Sequence, residues 1–284
     1  MLKNQKGQAL LIVVLVIVIA LLVALGLISR SVISLKTTQD QADSQKALAA
    51  AEAGLERVLA DPNIQAGQTI TGTLGTGASY STSVTQGGGT DLFLLHGTFS
   101  SLDKNEYVYL WPSKVTDSDT NLYGGDAWNG STNIYWGADP NTACNNAALE
   151  ISVISGKHPL DTSNLVLTKY AYDPCDTTRA GATGNNFTSI SKSAPANQKA
   201  IDNNTLYYHA IIPPSVSDSI YLIAITPLYV NDNFIAVQSD TSIPPQGKTA
   251  VSTGTIGQLE RKETQFANLH QIPPELFPFA IFSP

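Results

Sequence analysis

Charge, sulfur and histidine are all scarce in this chain, and each shortage removes a class of function. Charged residues make up 14% of 284, against roughly 25% in ordinary soluble domains. The net charge is −7 and the pI is near 5.0. No basic surface is therefore at hand to neutralise nucleic-acid phosphates. The four histidines are His96, His158, His209 and His270, and none has a second ligand-type residue at a metal spacing. Gly-x-Ser-x-Gly and His-Glu-x-x-His are absent, which removes the nucleophile elbow and the zinc-hydrolase helix. Gly247-Lys248-Thr249 has the form of the end of a phosphate loop. Ser242 stands where the opening glycine belongs, however, and no helical pattern follows, so the stretch reads as a loop before a strand. The expectation is a protein that is not an enzyme and carries no organic cofactor.

Two cysteines are present, Cys144 and Cys175. An even pair outside the cytoplasm reads most simply as one disulfide. The loop it closes, about 30 residues, contributes on the order of 3–4 kcal/mol in chain-entropy terms. Oxygen ligands cluster once, in Asp117, Asp119 and Asn121 at alternating positions with Asp126 beyond, a spacing that suits calcium. Leu122 replaces the glycine of a helix-loop-helix calcium site and Trp128 its bidentate glutamate. Asx residues also form turns by local hydrogen bonding, so calcium and a plain turn are both open readings.

What the chain does have is a long apolar run, from Ala9 to Ile28, preceded by Lys3 and Lys6 and followed by Arg30 and Lys36. About 20 helical residues at 1.5 Å each span the roughly 30 Å of a bilayer's hydrocarbon. A secretory signal is shorter and ends at a small-residue cleavage site, which this run lacks. The balance of flanking cations favours a cytoplasmic N-terminus.

The helical pattern then continues. Between Ser31 and Ala60 there is no proline and the only glycine is Gly54. Val32, Leu35, Ala42, Ala49 and Ala53 suggest one stripe; Leu48, Ala51, Leu55 and Leu59 suggest another. Ala47 to Ala60 consists of strong helix formers, and Asp61-Pro62 ends the helix. The expectation is one helix from about Gln8 to Asp61, wholly apolar in its first half and amphipathic in its second.

These two stretches, "QKGQALLIVVLVIVIALL" and "DSQKALAAAEAGLERVL", resemble type IV pilin-like proteins, and among them the PilX-type minor pilins. The resemblance covers about the first 60 residues. It implies that a prepilin peptidase cuts after Gly7 and that the new N-terminus, Gln8, is methylated. It also implies partners: other pilin or pseudopilin subunits, the peptidase and the lipid bilayer. Two positions depart from the pattern. Gln8 stands where the first mature residue is usually phenylalanine, and Ile12 where major pilins carry glutamate. That glutamate is thought to neutralise a neighbour's N-terminal amine, so its absence, shared with tip pseudopilins, points to a low-copy initiator or tip subunit. A lineage whose filaments do without the glutamate, a type II secretion pseudopilin and a non-polymerising single-pass surface protein are the other readings.

Beyond Pro62 the pattern becomes short alternating runs bounded by Gly, Asn, Asp and Pro. Strands are expected at 79–85, 91–99, 106–111, 148–155, 165–172, 205–212 and 219–226. "QGGGT" from Gln86 and "NDN" from Asn231 read as turns between paired strands. Segments 112–147 and 173–204 read as loops, and Gly257–Phe266 as a charged edge strand. The tail after it is too short and proline-broken to span a membrane. The fold class expected is α+β, a membrane-spanning and stalk helix carrying an antiparallel β-rich head. The divisions are a leader at 1–7, the helix at 8–61, an extracytoplasmic head at 62–254, and an edge strand and tail at 255–284. The expected location is the cytoplasmic membrane, single-pass, and then the cell surface or a pilus.

Overall fold

The computed structural model describes residues 5–61, 64–75, 77–97, 101–113, 127–175, 179–180, 184–215 and 219–268. Helix α1 runs unbroken from Gln5 to Ala60, 56 residues, or about 84 Å. It stops at Asp61, directly before Pro62, where the missing donor and the restriction on the preceding residue forbid another turn.

The remainder is strands. In chain order they are β1 (Thr69–Thr73), β2 (Ser79–Gln86), β3 (Phe93–Leu94), β4 (Val108–Leu110) and β5 (Thr132–Trp136). Next come β6 (Ala148–Gly156), β7 (Val166–Asp173), β8 (Thr188–Ser189), β9 (Lys199–Ile201) and β10 (Asn204–Leu206). The last are β11 (Tyr208–Ile212), β12 (Ser219–Leu228), β13 (Ala236–Ser239), β14 (Gly247–Ile256) and β15 (Leu259–Asn268). One sheet has the order β1-β2-β14-β15, another β11-β5-β13-β3, a third β4-β12-β6-β7-β8, and β9 and β10 form a hairpin. Apart from the parallel pair β7–β8, the pairs in the second and third sheets are antiparallel. The class is α+β.

The chain forms two compact units. The first comprises Met1–Ala60, Thr69–Thr82 and Val251–Glu263; the second comprises Asp61–Gln68, Ser83–Ala250 and Thr264–Pro284. The helix therefore clusters with strands from both ends of the β region.

Within the first unit the C-terminal half of α1 packs on the sheet. Its buried residues are Ala47, Ala50, Ala51, Gly54, Leu55 and Val58, a single stripe at spacings of three, one and three. Ala51 and Leu55 of the second stripe expected from sequence lie in this face, whereas its Leu59 and the first stripe's Ala42 and Ala49 are exposed and Leu48 is only half-buried. The deciding property is size. A Cβ on Gly254 would lie 1.8 Å from the Ala47 carbonyl oxygen and 2.6 Å from the Ala51 nitrogen. A Cβ on Gly54 would lie 2.3 Å from Thr82 Oγ1 and 2.5 Å from Ser252 Oγ. Helix and strand backbones thus approach closely enough that only glycine fits at both points. Beneath them Thr82 and Ser252 hydroxyls hydrogen-bond at 2.8 Å, and Ala50, Ala78 and Tyr80 form a small core with Ile70, Leu74 and Ile256.

The second unit is a sandwich. Ile134 and Trp136 of β5, Ala210 and Ile212 of β11 and Val237 of β13 face Leu149, Ile151 and Val153 of β6. Alternation along each strand sends these inward. Strand β12 needs one correction to its parity, because Ile220 opposes Ser155 while Leu222 opposes Ile154, leaving Tyr221 as an extra residue. That bulge lets Ile220, Ile223 and Ile225 all point inward. Tyr221 and Leu222 then join Tyr109 and Trp111 in a second cluster on the other face.

Several expected strands differ from those observed. The run 205–212 is cut at Tyr207, giving β10 and β11 in separate sheets. Of the run 91–99, the described part, 91–97, is a strand at Phe93–Leu94. The supposed loop 112–147 contains β5, and 173–204 contains β8 and β9. The turns after Gln86 and at Asn231 connect strands of different sheets, so neither closes a pair. The charged edge strand is β15, two residues later than expected, at the edge of its sheet.

Candidate functional site: the unpacked apolar helix

Nothing among the described residues packs against the N-terminal half of α1. Every described Leu, Ile and Val side chain from Leu11 to Leu35 is between 47% and 69% exposed. The most apolar stretch has a mean hydropathy of 2.9 and none of it is buried. The helix is long and apolar enough to cross a membrane by length and composition. An apolar surface this large on every side of a helix is stable only when something apolar covers it. At the far end, Gly54 and Gly254 fix how the sheet holds the helix, so the unpacked half is the unbroken continuation of a docked one.

The residues singled out from the sequence fall as follows. Gly7 and Gln8 lie in the opening turns of α1, and the side chains of Gln8 and Ile12 are outside the described residues. Cys144 and Cys175 are joined as a disulfide with Cα atoms 4.4 Å apart, 31 positions apart in sequence. Asp117, Asp119, Asn121 and Asp126 all lie outside the described residues, as does His270. Among the described residues no three His, Cys, Asp or Glu side chains converge as a metal site. Lys248 of the glycine-lysine-threonine stretch donates to the Ile64 carbonyl at 2.7 Å, a structural contact in a strand that begins at Gly247 itself.

Sequence reasoning missed the polar cluster that surrounds the disulfide. Asp173, fully buried, pairs with Arg179 at 2.8 Å. Its carboxylate also accepts from the Cys175 N–H at 2.9 Å and from Asn185 Nδ2 at 2.7 Å. Arg179 donates onward to the Asn146 carbonyl at 2.8 Å and covers the Tyr229 ring at 4.6 Å. On the other strand of the link, Asp139 accepts from the N–H groups of Asn141 and Thr142 and from Asn145 Nδ2. Those bonds, led by Asn141, hold its carboxyl below the usual carboxylate range. The cluster secures loops that have few apolar residues of their own.

His96 is 8% exposed and its Nε2 accepts from the Ile235 N–H at 3.3 Å. Burial lowers its pKa from 6.5 to about 4, with a hydrogen bond to His96's own backbone acting in the opposite direction. The unfolded chain takes up this proton near pH 6.5 while the folded chain resists to about 4. The neutral ring's contribution is therefore complete above pH 6.5 and lost as the pH falls towards 4. The expected loss is about 3 kcal/mol. Denaturant midpoints measured from pH 7 to pH 4 should fall more steeply for the native chain than for His96→Gln.

No family model, no curated protein and no solved structure matches this chain. The residues themselves carry the functional argument.

Proposed function

We propose that this chain is a membrane-inserted, pilin-like structural subunit of a type IV pilus. It acts at low copy in assembly initiation or at the tip, and not as an enzyme. The observation that carries the reading is the division of α1. Its first half is apolar on every side and unpacked, while its second half is locked to a sheet through a stripe of alanine and glycine. A simple anchor needs about 20 apolar residues and no fixed connection to its head. Here the apolar half is aimed by a rigid continuation of itself. A subunit leaving the bilayer to pack its helix beside others requires that geometry, because the helices must arrive in register.

The resemblance of the N-terminal stretches supplies the rest: cleavage after Gly7, methylation of Gln8, and an extracytoplasmic β-rich head. Ile12 supports the initiator or tip position. A carboxylate at that depth costs about 2.5–3.5 kcal/mol on insertion scales and is kept where it meets a partner charge. This chain carries neither the cost nor the pairing. Gly7→Glu is expected to leave membrane insertion intact while removing the chain from sheared surface filaments. In the native strain, quantitative proteomics of those filaments should find it well below the main subunit. Recovery of Gly7→Glu in filaments at the native level would contradict the reading, and finding this chain as the most abundant subunit would contradict the tip position.

A further inference from the structure

The sheets of the two units have very different edges. Strand β15 of the first sheet carries Glu260, Arg261, Lys262 and Glu263, all exposed, the usual way of discouraging a further strand. Strand β7 of the sandwich carries no such protection. One side of it pairs with β6 from Val166 to Tyr172, whereas β8 covers the other side only at Tyr172 and Asp173. Among the described residues, no strand lies beside that edge from Val166 to Ala171. Its one cation, Lys169, is held by Glu150 at 2.8 Å. Leu165, Val166 and Leu167 are 41%, 48% and 42% exposed, and no proline or bulge interrupts them. Val166, Thr168 and Tyr170 also line a cavity of about 260 Å³ that opens between the sheets towards Ile212 and Pro213.

We propose that this edge pairs antiparallel with the same edge of a second copy of the chain, around a two-fold axis at Thr168. An open edge of main-chain donors and acceptors calls for an extended strand, and the sequence of β7 selects itself as that strand. With Thr168 opposite Thr168, Val166 meets Tyr170 and Leu167 meets Lys169 of the other copy. The β-branched–aromatic pair and the Thr–Thr pair are favourable cross-strand combinations, and no like charges stand directly opposite. The register is isologous, so both contacts form twice. Val166 and Tyr170 of each copy close the mouth of the other's cavity. Pairing ends where β8 begins on one strand. At the matching end of the other the chain has turned away as the 3-10 turn Thr162–Asn164. One strand pair buries less than the roughly 800 Å² per partner of standard interfaces, so the dimer is weak in solution and favoured where a membrane concentrates the chain.

The test uses the full chain in detergent. Sedimentation should show a concentration-dependent dimer, and Thr168→Lys, which places two charges face to face, should raise its dissociation constant about fivefold or more. A short thiol-reactive cross-linker should join Thr168→Cys into dimers far more than Glu260→Cys on the protected edge. A dimer unaffected by Thr168→Lys is held by other surfaces and overturns the proposal. A chain monomeric at every concentration overturns it too, and leaves a strand of a different subunit as the occupant of the edge.

Discussion

Gly254→Val is expected to destabilise the first unit by about 3 kcal/mol or more, at the upper end of overpacking effects. The new Cβ falls inside the carbonyl of Ala47 and against the nitrogen of Ala51. Both are helix backbone, which cannot rotate aside as a side chain can. The helix must lift off β14, and lifting it also exposes the Thr82–Ser252 hydrogen bond to water and opens the contacts of Ala50 with Tyr80. Hydrogen exchange on the full chain in detergent checks this. Amides of residues 44–58 and of β14 should lose protection, while those of the sandwich should not. Gly26→Ala is the matched control, since nothing lies within 4 Å of its added Cβ. It should leave the helix unchanged or stabilise it by up to about 1 kcal/mol. Equal protection in Gly254→Val and the native chain would refute the close approach.

Asp173→Ala is expected to cost about 3–5 kcal/mol, the range for removing one partner of a buried ion pair. Arg179 would keep its charge at 18% exposure with its carboxylate gone, while the Cys175 N–H and the Asn185 amide would lose an acceptor. The disulfide would still hold the loop ends together, so the loss is one of order around an intact link. Denaturant unfolding of the full chain measures it. Trp136 serves as reporter, because its indole donates to the Ala147 carbonyl beside Asn146. Pairing Asp173→Leu with Arg179→Met should recover much of the loss, since an apolar pair carries no desolvation cost. A cost below about 1 kcal/mol for Asp173→Ala would reduce the pair to a surface contact.

Sequence reading reached some of these features and not others, for physical reasons. Helix α1 was legible because length, hydropathy and the Asp61-Pro62 stop are all local signals. The Cys144–Cys175 link followed from having two cysteines. Strands β2, β6, β7 and β12 run for eight residues or more, long enough for their β-branched and aromatic content to register. Strand β5 does not. Its five residues sit among Asn and Gly, and only Trp136 and Ile134 facing the opposite sheet reveal that it is central. The docking face of α1 was legible only in part: Ala51 and Leu55 stand out by their spacing, but Ala47, Ala50 and Gly54 are small residues in an alanine-rich run, and only the close approach of the sheet selects them. The Asp173–Arg179 cluster joins positions whose partners, Asn146 and Tyr229, lie far off in sequence, beyond any local pattern.

The proposed function turns on how the N-terminus is processed, and intact mass of the mature chain from membrane and filament fractions tests that most directly. A prepilin-like subunit should begin at methylated Gln8 and keep the whole apolar run. That leaves 277 of the 284 residues, because 284 − 7 = 277. A chain that retains Met1, or one that begins beyond Ile28, would contradict the account.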